Sequence, residues 1–392
     1  MQFKKIFTSF FLAVVTLVVS SVEAEEGIHA EYVRTHSGDG KYLSVSPDGS
    51  KFAVVLGKVI TIIDSATGEV LADSSEANTA FDPRSFCWSP DSSLAAFTED
   101  YYRLMRDSDV WILTIKDNAL IRVFADDIQK PFRAEEGNSA TNPVWSPDGK
   151  KLFVSCVDYA SRSSVIRSIT NLDESTAEVV FSETPENGPG IWSSMFPVGD
   201  SLYFCRHTPK KNDEGDGIFR VHLSNGHIET VLSPDETRGE PLLLAVSADG
   251  TYALAIHFLY AMSFTSTFFN EGTGVYKSGV FLIDLSDYSK RPLEIWKSGD
   301  EVSRIITASF SPDGSQVVYL FQEGKDGHIL MIQDTKGGAP RVLFSNDEDN
   351  TLLFGDSAVS YKPQLFWTRG NRLFALGNKG DALHEFTLVT GE

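Results

Sequence analysis

One short stretch recurs along the chain and limits what it can fold into. An apolar run leads into Ser-Pro-Asp or a near variant, and another apolar run follows. The clearest copies are Val45-Ser46-Pro47-Asp48-Gly49, Trp88-Ser89-Pro90-Asp91, Trp145-Ser146-Pro147-Asp148-Gly149 and Phe310-Ser311-Pro312-Asp313-Gly314. Pro presets φ at a turn position, Gly accepts φ > 0, and Ser or Asp side chains bond back to the local backbone, so each copy reads as strand, tight turn, strand. With Pro as the marker, further copies fall at Pro197, at Ala248 (Ser247-Ala248-Asp249-Gly250) and, degenerate, at Arg369 (Trp367-Thr368-Arg369-Gly370-Asn371). Seven copies about 43 to 64 residues apart fill the chain after residue 24 and leave no length for a second domain.

Each unit repeats one inner grammar. In the first, Lys51 to Leu56 and Val59 to Asp64 read as strands, Ser65-Ala66-Thr67-Gly68-Glu69 as a hairpin turn, and Val70-Leu71-Ala72 as the start of a fourth strand. The third unit gives 152–157, 165–169 and 177–181, and the sixth gives 317–321, 328–332 and 341–344. With the strand before each Ser-Pro-Asp turn, a unit has four antiparallel strands, and no segment carries a long helical period. The fold class is all-β: a single seven-bladed β-propeller over 25–392. The last unit stops at Thr390-Gly391-Glu392, where the first unit's Thr67-Gly68-Glu69 continues into an outer strand. Ile28 to Arg34 belongs to no unit of its own. It is expected to pair onto the C-terminal hairpin and close the ring, which leaves no open gap between blades.

The Ser-Pro-Asp-Gly turns and the strands after them resemble the WD40-like Pro-Asp repeats of TolB-type propellers, and similar repeats occur in propeller domains of the prolyl oligopeptidase and dipeptidyl peptidase group. TolB proteins resemble a two-domain design with an α/β domain ahead of a six-bladed propeller. This chain enters its first blade almost at once and reads as seven blades. The peptidase relatives need a Gly-x-Ser-x-Gly elbow, and the nearest string, Gly355-Asp356-Ser357-Ala358-Val359, lacks the second Gly.

Residues 1–24 read as a cleaved signal peptide: Lys4 and Lys5 precede the apolar run 6–19, and Val22-Glu23-Ala24 supplies a small-residue cleavage site. That run is short of the roughly 20 residues a membrane span needs. Export, to a periplasm or to the medium, is therefore expected. The formal charge of −20 excludes nucleic acid and anionic lipid as natural partners. The cysteines are Cys87, Cys156 and Cys205, an odd number with no metal-ligand spacing. All three fall in strands, where a thiol acts as a small hydrophobe, and a Cys156–Cys205 bridge is an open alternative.

In a propeller the turns between first and second strands, and between third and fourth, share one face. The remaining connections share the other, and here they are the long ones. Function is expected on this loop face, because loops on a rigid scaffold carry binding. The second unit contributes Thr98-Glu99-Asp100-Tyr101-Tyr102-Arg103-Leu104-Met105-Arg106-Asp107-Ser108-Asp109, in which Tyr101, Tyr102, Arg103 and Arg106 are residue types favoured at binding hot spots. The plainer reading is a solvated loop with internal Arg–Asp pairs. The third unit adds Tyr159 and Arg162, and the fourth adds Arg206-His207-Thr208-Pro209-Lys210-Lys211, so the three neighbours could form a basic patch for an anionic ligand. Leu259-Tyr260 to Asn270 in the fifth unit is an aromatic insertion, either a binding patch or a lid on its own blade. His207 and His257 follow equivalent strands and could both face the pore mouth. Asn346-Asp347-Glu348-Asp349-Asn350 lacks the spaced ligands of a calcium loop.

Two functions remain open. The first is a non-enzymatic, monomeric scaffold binding a protein, peptide or glycan on the loop face, with no cofactor, metal or catalytic residue. The second is a small-molecule hydrolase or lyase of the lactonase-like propeller type, acting at the pore mouth. No convergent set of acid, base and metal ligands can be placed from the sequence, which favours the first.

Overall fold

The computed structural model describes residues 28–390 apart from 39, 78, 80, 100–107, 125–137, 159–162, 184–190, 208–216, 234–240, 258–278, 294–302, 324–326, 346–363 and 378–379. The described residues form seven sheets of four antiparallel strands, with one short 3-10 turn at Ser75–Ala77 and no α-helix. Six sheets are built from consecutive strands. The innermost strands of successive blades touch one another, from Lys41–Val45 and Phe81–Trp88 round to Ser303–Phe310 and Leu365–Thr368, and so define the axis. We call the strands a to d from the axis outward. No helix among the described residues is long and apolar enough to cross a membrane.

The Ser-Pro-Asp turns hold together through one repeated device. In blade 1 the Asp48 carboxylate accepts from Ser46 Oγ (2.6 Å) and from the Ser50 amide (2.9 Å), while Ser46 Oγ accepts from the Lys51 amide (2.9 Å). Gly49 takes φ +72° and donates its amide to Ser46 O. The same Ser-to-Asp bond recurs at 89/91, 146/148, 247/249 and 311/313. The copy at Ala248 shows that Ser and Asp set the turn and that Pro is dispensable. These bonds draw the Asp carboxyls below their usual range: at Asp313 the Ser311 hydroxyl is the main cause. At Asp48 desolvation opposes the shift, but Ser46, Ser50 and Lys51 outweigh it and hold the carboxyl at about 2. The copy at Pro197 departs from this pattern. Pro197 pairs with Leu202 and Val198 with Ser201, so Gly199-Asp200 is a two-residue hairpin turn without the Ser–Asp bond.

The seventh sheet is composite, in the order Ile28–Ser37, Ala382–Thr390, Arg372–Leu376, Leu365–Thr368. The N-terminal strand thus supplies strand d of the last blade, as the sequence predicts, and pairs along its length from Ile28↔Thr390 to Ser37↔Ala382. A bulge at Val33 decides what it buries. Up to Tyr32, alternate side chains face blade 6: Ala30 and Tyr32 join Leu388, Phe386 and Leu330. The bulge adds a residue between Tyr32↔Phe386 and Arg34↔Glu385, so Arg34 and His36 turn to blade 1 instead. There Glu385, nearly fully buried, accepts from Arg34 Nε (3.0 Å) and Arg372 Nη2 (2.6 Å), and its carboxylate lies 2.8 Å from His36 Nε2. The spare nitrogens of the two arginines reach blade 1: Arg34 Nη2 donates to Ser65 O and Arg372 Nη1 to Gly49 O. Burial works to raise the Glu385 carboxyl, but His36, Arg372 and Arg34 overcome it and hold it at about 2.

The core lies between blades. Phe52 and Phe374 meet edge-on at 5.6 Å across the closing seam, and His36 stands edge-on to Phe52 at 4.7 Å. Cys156 and Cys205 sit buried in strands b of neighbouring blades and carry thiols, not the bridge that the sequence left open. Burial pushes the Cys156 thiol up to about 12, so it is an inert apolar side chain. Cys205 Sγ accepts the Leu243 amide at 3.1 Å.

Candidate functional site

Strands b and d run toward the loop face, and strands a and c leave it. The candidate binding face is therefore framed by the last residues of Leu94–Glu99, Lys151–Asp158, Asp173–Glu183, Ser201–His207 and Tyr252–His257. Tyr101, Tyr102, Arg103, Arg106, Tyr159, Arg162 and Tyr260 lie outside the described residues, as do the acidic run 346–350 and the string 355–359. His207 and His257 are described in backbone only. Both end a strand b, opposite Ile191 and Pro241, the first residues of strands a, so the equivalence read from the sequence holds for the backbone.

The described parts of the face are more ordered than a solvated loop. In blade 2, Thr98 and Glu99 belong to strand b, not to the loop. Glu99 donates its amide to Asp109 O (3.0 Å), and Ser108 joins blade 2 to blade 3: it donates Oγ to Ala140 O (3.0 Å) and accepts the Ala140 amide (2.9 Å). Asp109, fully buried, is bound by Arg122 from strand d, whose Nε lies 2.7 Å from Oδ2 and whose Nη2 donates to the same oxygen. Glu99 Oε1 accepts the indole N–H of Trp111 at 3.0 Å. Burial raises the Glu99 carboxyl above its usual range. The Asp109 charge adds to that, while Trp111 and Arg122 oppose it.

Between blades 3 and 4, Arg206 lies within strand b and is taken up by Glu183 at the end of the preceding strand d (3.0 Å), with its guanidinium 4.3 Å above the Phe219 ring. Arg122 and Arg206 are thus both committed to carboxylates. The basic patch expected over blades 2 to 4 gains nothing from these two arginines, because each is neutralised at the foot of its loop. Among the described residues no three His, Cys, Asp or Glu side chains stand close enough to hold a metal ion. In the sequence Glu99 reads as part of the loop, whereas it ends strand b; Asp109 does lie in the connection, directly before the strand Val110–Thr114, and Arg122 and Glu183 were not among the expected site residues. The available signal was a charged residue inside an apolar strand, as in Ala119-Leu120-Ile121-Arg122-Val123.

No protein-family model matches the sequence, and no curated protein matches it. Solved structures share the fold. An oligogalacturonate lyase from Vibrio parahaemolyticus superposes with a TM-score of 0.56 at 11% identity, covering 93% of this chain and 98% of that one. The propeller domain of Cps50 (Swd1) from Myceliophteria thermophila gives a TM-score of 0.51 at 11% identity, covering 92% and 100%. A TolB from Agrobacterium tumefaciens gives 0.45 at 16% identity, covering 82% and 93%. The chain is a seven-bladed β-propeller, and its likeness to the Swd1 propeller domain and to the lyase holds at the level of the fold.

Proposed function

We propose that this chain is an exported, non-enzymatic propeller that binds a protein, peptide or glycan through its loop face, with residues 1–24 serving as the signal peptide and 25–392 as a monomeric binding domain. The observation that carries the reading is the preorganised rim of blades 2 to 4. Part-buried ion pairs, Asp109 with Arg122 and Glu183 with Arg206, fix the strand ends from which the Tyr- and Arg-bearing loop sequences depart. Rigid feet lower the ordering cost of binding by the segments they anchor. Because the described arginines are neutralised in place, hydrogen bonding and aromatic contact suit the face better than a polyanion.

The test is affinity capture from envelope or culture medium, comparing the wild type with a variant carrying Tyr101, Tyr102, Arg103 and Arg106 changed to Ala. Partners lost from the variant are the expected result. An unchanged set of partners removes this face from the reading. Manganese-dependent cleavage of an oligogalacturonide by the purified protein would replace binding with lyase chemistry, the activity named for one fold neighbour.

A further inference from the structure

A cleft of about 350 Å³ opens on the turn face between blades 3 and 4, opposite the long connections. Strands b and d of blade 3 supply one wall. Phe153, Ser168 and Glu178 pair in one row across strands b, c and d, so their side chains leave the sheet on one side, and Lys151 lies two residues from Phe153 on that same side. A bulge inserts Val180 between Val179 and Phe181, and Val180 and Phe181 both pack toward blade 4.

The other wall is the turn 223–226 between strands c and d of blade 4. This turn is preorganised. Leu223 donates its amide to Asp200 O (2.9 Å), Gly226 donates to His222 O (2.8 Å), and Ser224 donates Oγ to Asp200 Oδ2 (2.5 Å). Asn225 Oδ1 accepts the His227 amide at 2.8 Å. That bond fixes the side-chain amide and leaves both Nδ2 hydrogens without a partner in the structure.

The polar groups of the cleft are of both kinds. Lys151 Nζ stands 4.0 Å from Glu178 Oε2, and neither side chain is hydrogen-bonded. Donors remain on Lys151 and Asn225, and acceptors on Glu178 and Ser224 Oγ. Between them lie Val180 and Leu223, above the buried Phe153 ring. The two charges balance, so a ligand gains nothing from a net charge of its own. The complementary group is neutral and both gives and accepts hydrogen bonds at adjacent atoms. A vicinal diol does so: one hydroxyl accepts from Lys151 Nζ while its neighbour donates to Glu178, across a gap too wide for a direct hydrogen bond.

We propose that this cleft binds the terminal sugar ring of a neutral glycan, with Lys151 and Glu178 at one edge, Asn225 at the other and the C–H face of the ring against Val180 and Leu223. The volume is at the lower end for small-molecule sites and suits a single ring. The site goes beyond the loop-face reading and does not depend on it.

The experiment follows the Asn225 side-chain NH2 resonances of the chain from Glu25 to Glu392, assigned by their loss in Asn225→Asp. The probes are the methyl glycosides of glucose, galactose and mannose. The expected result is a saturating shift with at least one glycoside, weakened about tenfold or more in Lys151→Ala and in Glu178→Ala, a change of about 1.4 kcal/mol. These side chains are 45% and 73% exposed, so the fold tolerates their loss, which an unchanged melting temperature verifies. The variant with Tyr101, Tyr102, Arg103 and Arg106 changed to Ala should bind the glycoside as the wild type does, because its changes lie on the opposite face. No shift with any glycoside would overturn the proposal, as would undiminished binding in either cleft variant. An equal shift with tetrahydropyran-2-methanol, a ring with a single hydroxyl, would reduce the site to an apolar contact and overturn it too. A shift with the dipeptide Ala-Ala and none with the glycosides would replace the sugar by a peptide. Loss of glycoside binding in the loop variant would place the sugar on the other face.

Discussion

The closing seam and the rim of blade 2 each bury a glutamate, with opposite outcomes. At the seam, one carboxylate, Glu385, is met by two guanidinium groups and an imidazole, and its pKa falls to about 2. At the rim, burial raises the pKa of Glu99, whose carboxyl accepts the neutral Trp111 indole N–H among the described residues. Burial opposes the charged form at both places. What differs among the described residues is the donor that meets the carboxyl: two guanidinium groups and an imidazole at the seam, a neutral indole at the rim. The seam is electrostatically complete and joins the two ends of the chain.

Removing residues 25–36 should break the seam most severely. The last blade would lose most of strand d and the arginine and histidine that hold Glu385, and the cooperative melting transition followed by circular dichroism should collapse. The expected loss is of the order of the whole ~5–15 kcal/mol that stabilises a folded domain. An unchanged melting temperature would mean that the ring closes without this strand.

Next in size is Glu385→Ala. It leaves Arg34 and Arg372 unpaired in a mostly buried seam and should cost about 3–5 kcal/mol in urea unfolding. The sign of the pH dependence follows from the depressed pKa. The folded value, about 2, lies below the ordinary 4.5, so the contribution of Glu385 is fully present above pH 4.5 and is lost as pH falls toward 2. Wild type and Glu385→Ala should therefore converge in stability over that window. Parallel curves down to pH 2 would deny the cluster its role.

The smallest effect, and the one that sharpens the contrast, is at Glu99. Its folded pKa lies above the unfolded one, so its stabilising contribution exists at low pH and disappears as pH rises through the folded value. At neutral pH Glu99→Gln should leave stability unchanged or raise it, by up to about 1 kcal/mol, within the range of commonly found stabilising changes. A clear loss of stability in calorimetry would show that the charged form is structurally required, and the rim would then resemble the seam.

Much of the architecture was legible because its determinants are local. Ser46, Asp48 and Gly49 fix their turn within a few residues of one another, and the spacing of such turns counts the blades. The missing outer strand of the last unit and the unassigned segment at Ile28 pointed to the closure the structure shows. The local code failed at Pro197, where a similar string makes a two-residue hairpin because Val198 and Ser201 pair directly. The candidate site was less legible. Tyr and Arg in a long connection suggested one face, but of the ordered groups beneath, Glu99 ends strand b, Asp109 immediately precedes strand c and Arg122 lies in strand d, and only the folded blade brings them together.

The sequence by itself determined the repeat, the number of blades and the direction in which the long connections emerge. These depend on turn chemistry and on alternation with period two, both of which act over a few residues. The tertiary structure decided which charges meet. Arg34 and Glu385 lie 351 positions apart, and the Val33 bulge selects the side of the sheet on which they pair. Coulombic balance at a buried carboxyl depends on distances across strands and blades, so the lowered pKa at the seam and the raised one at the rim arise only once the ring has formed.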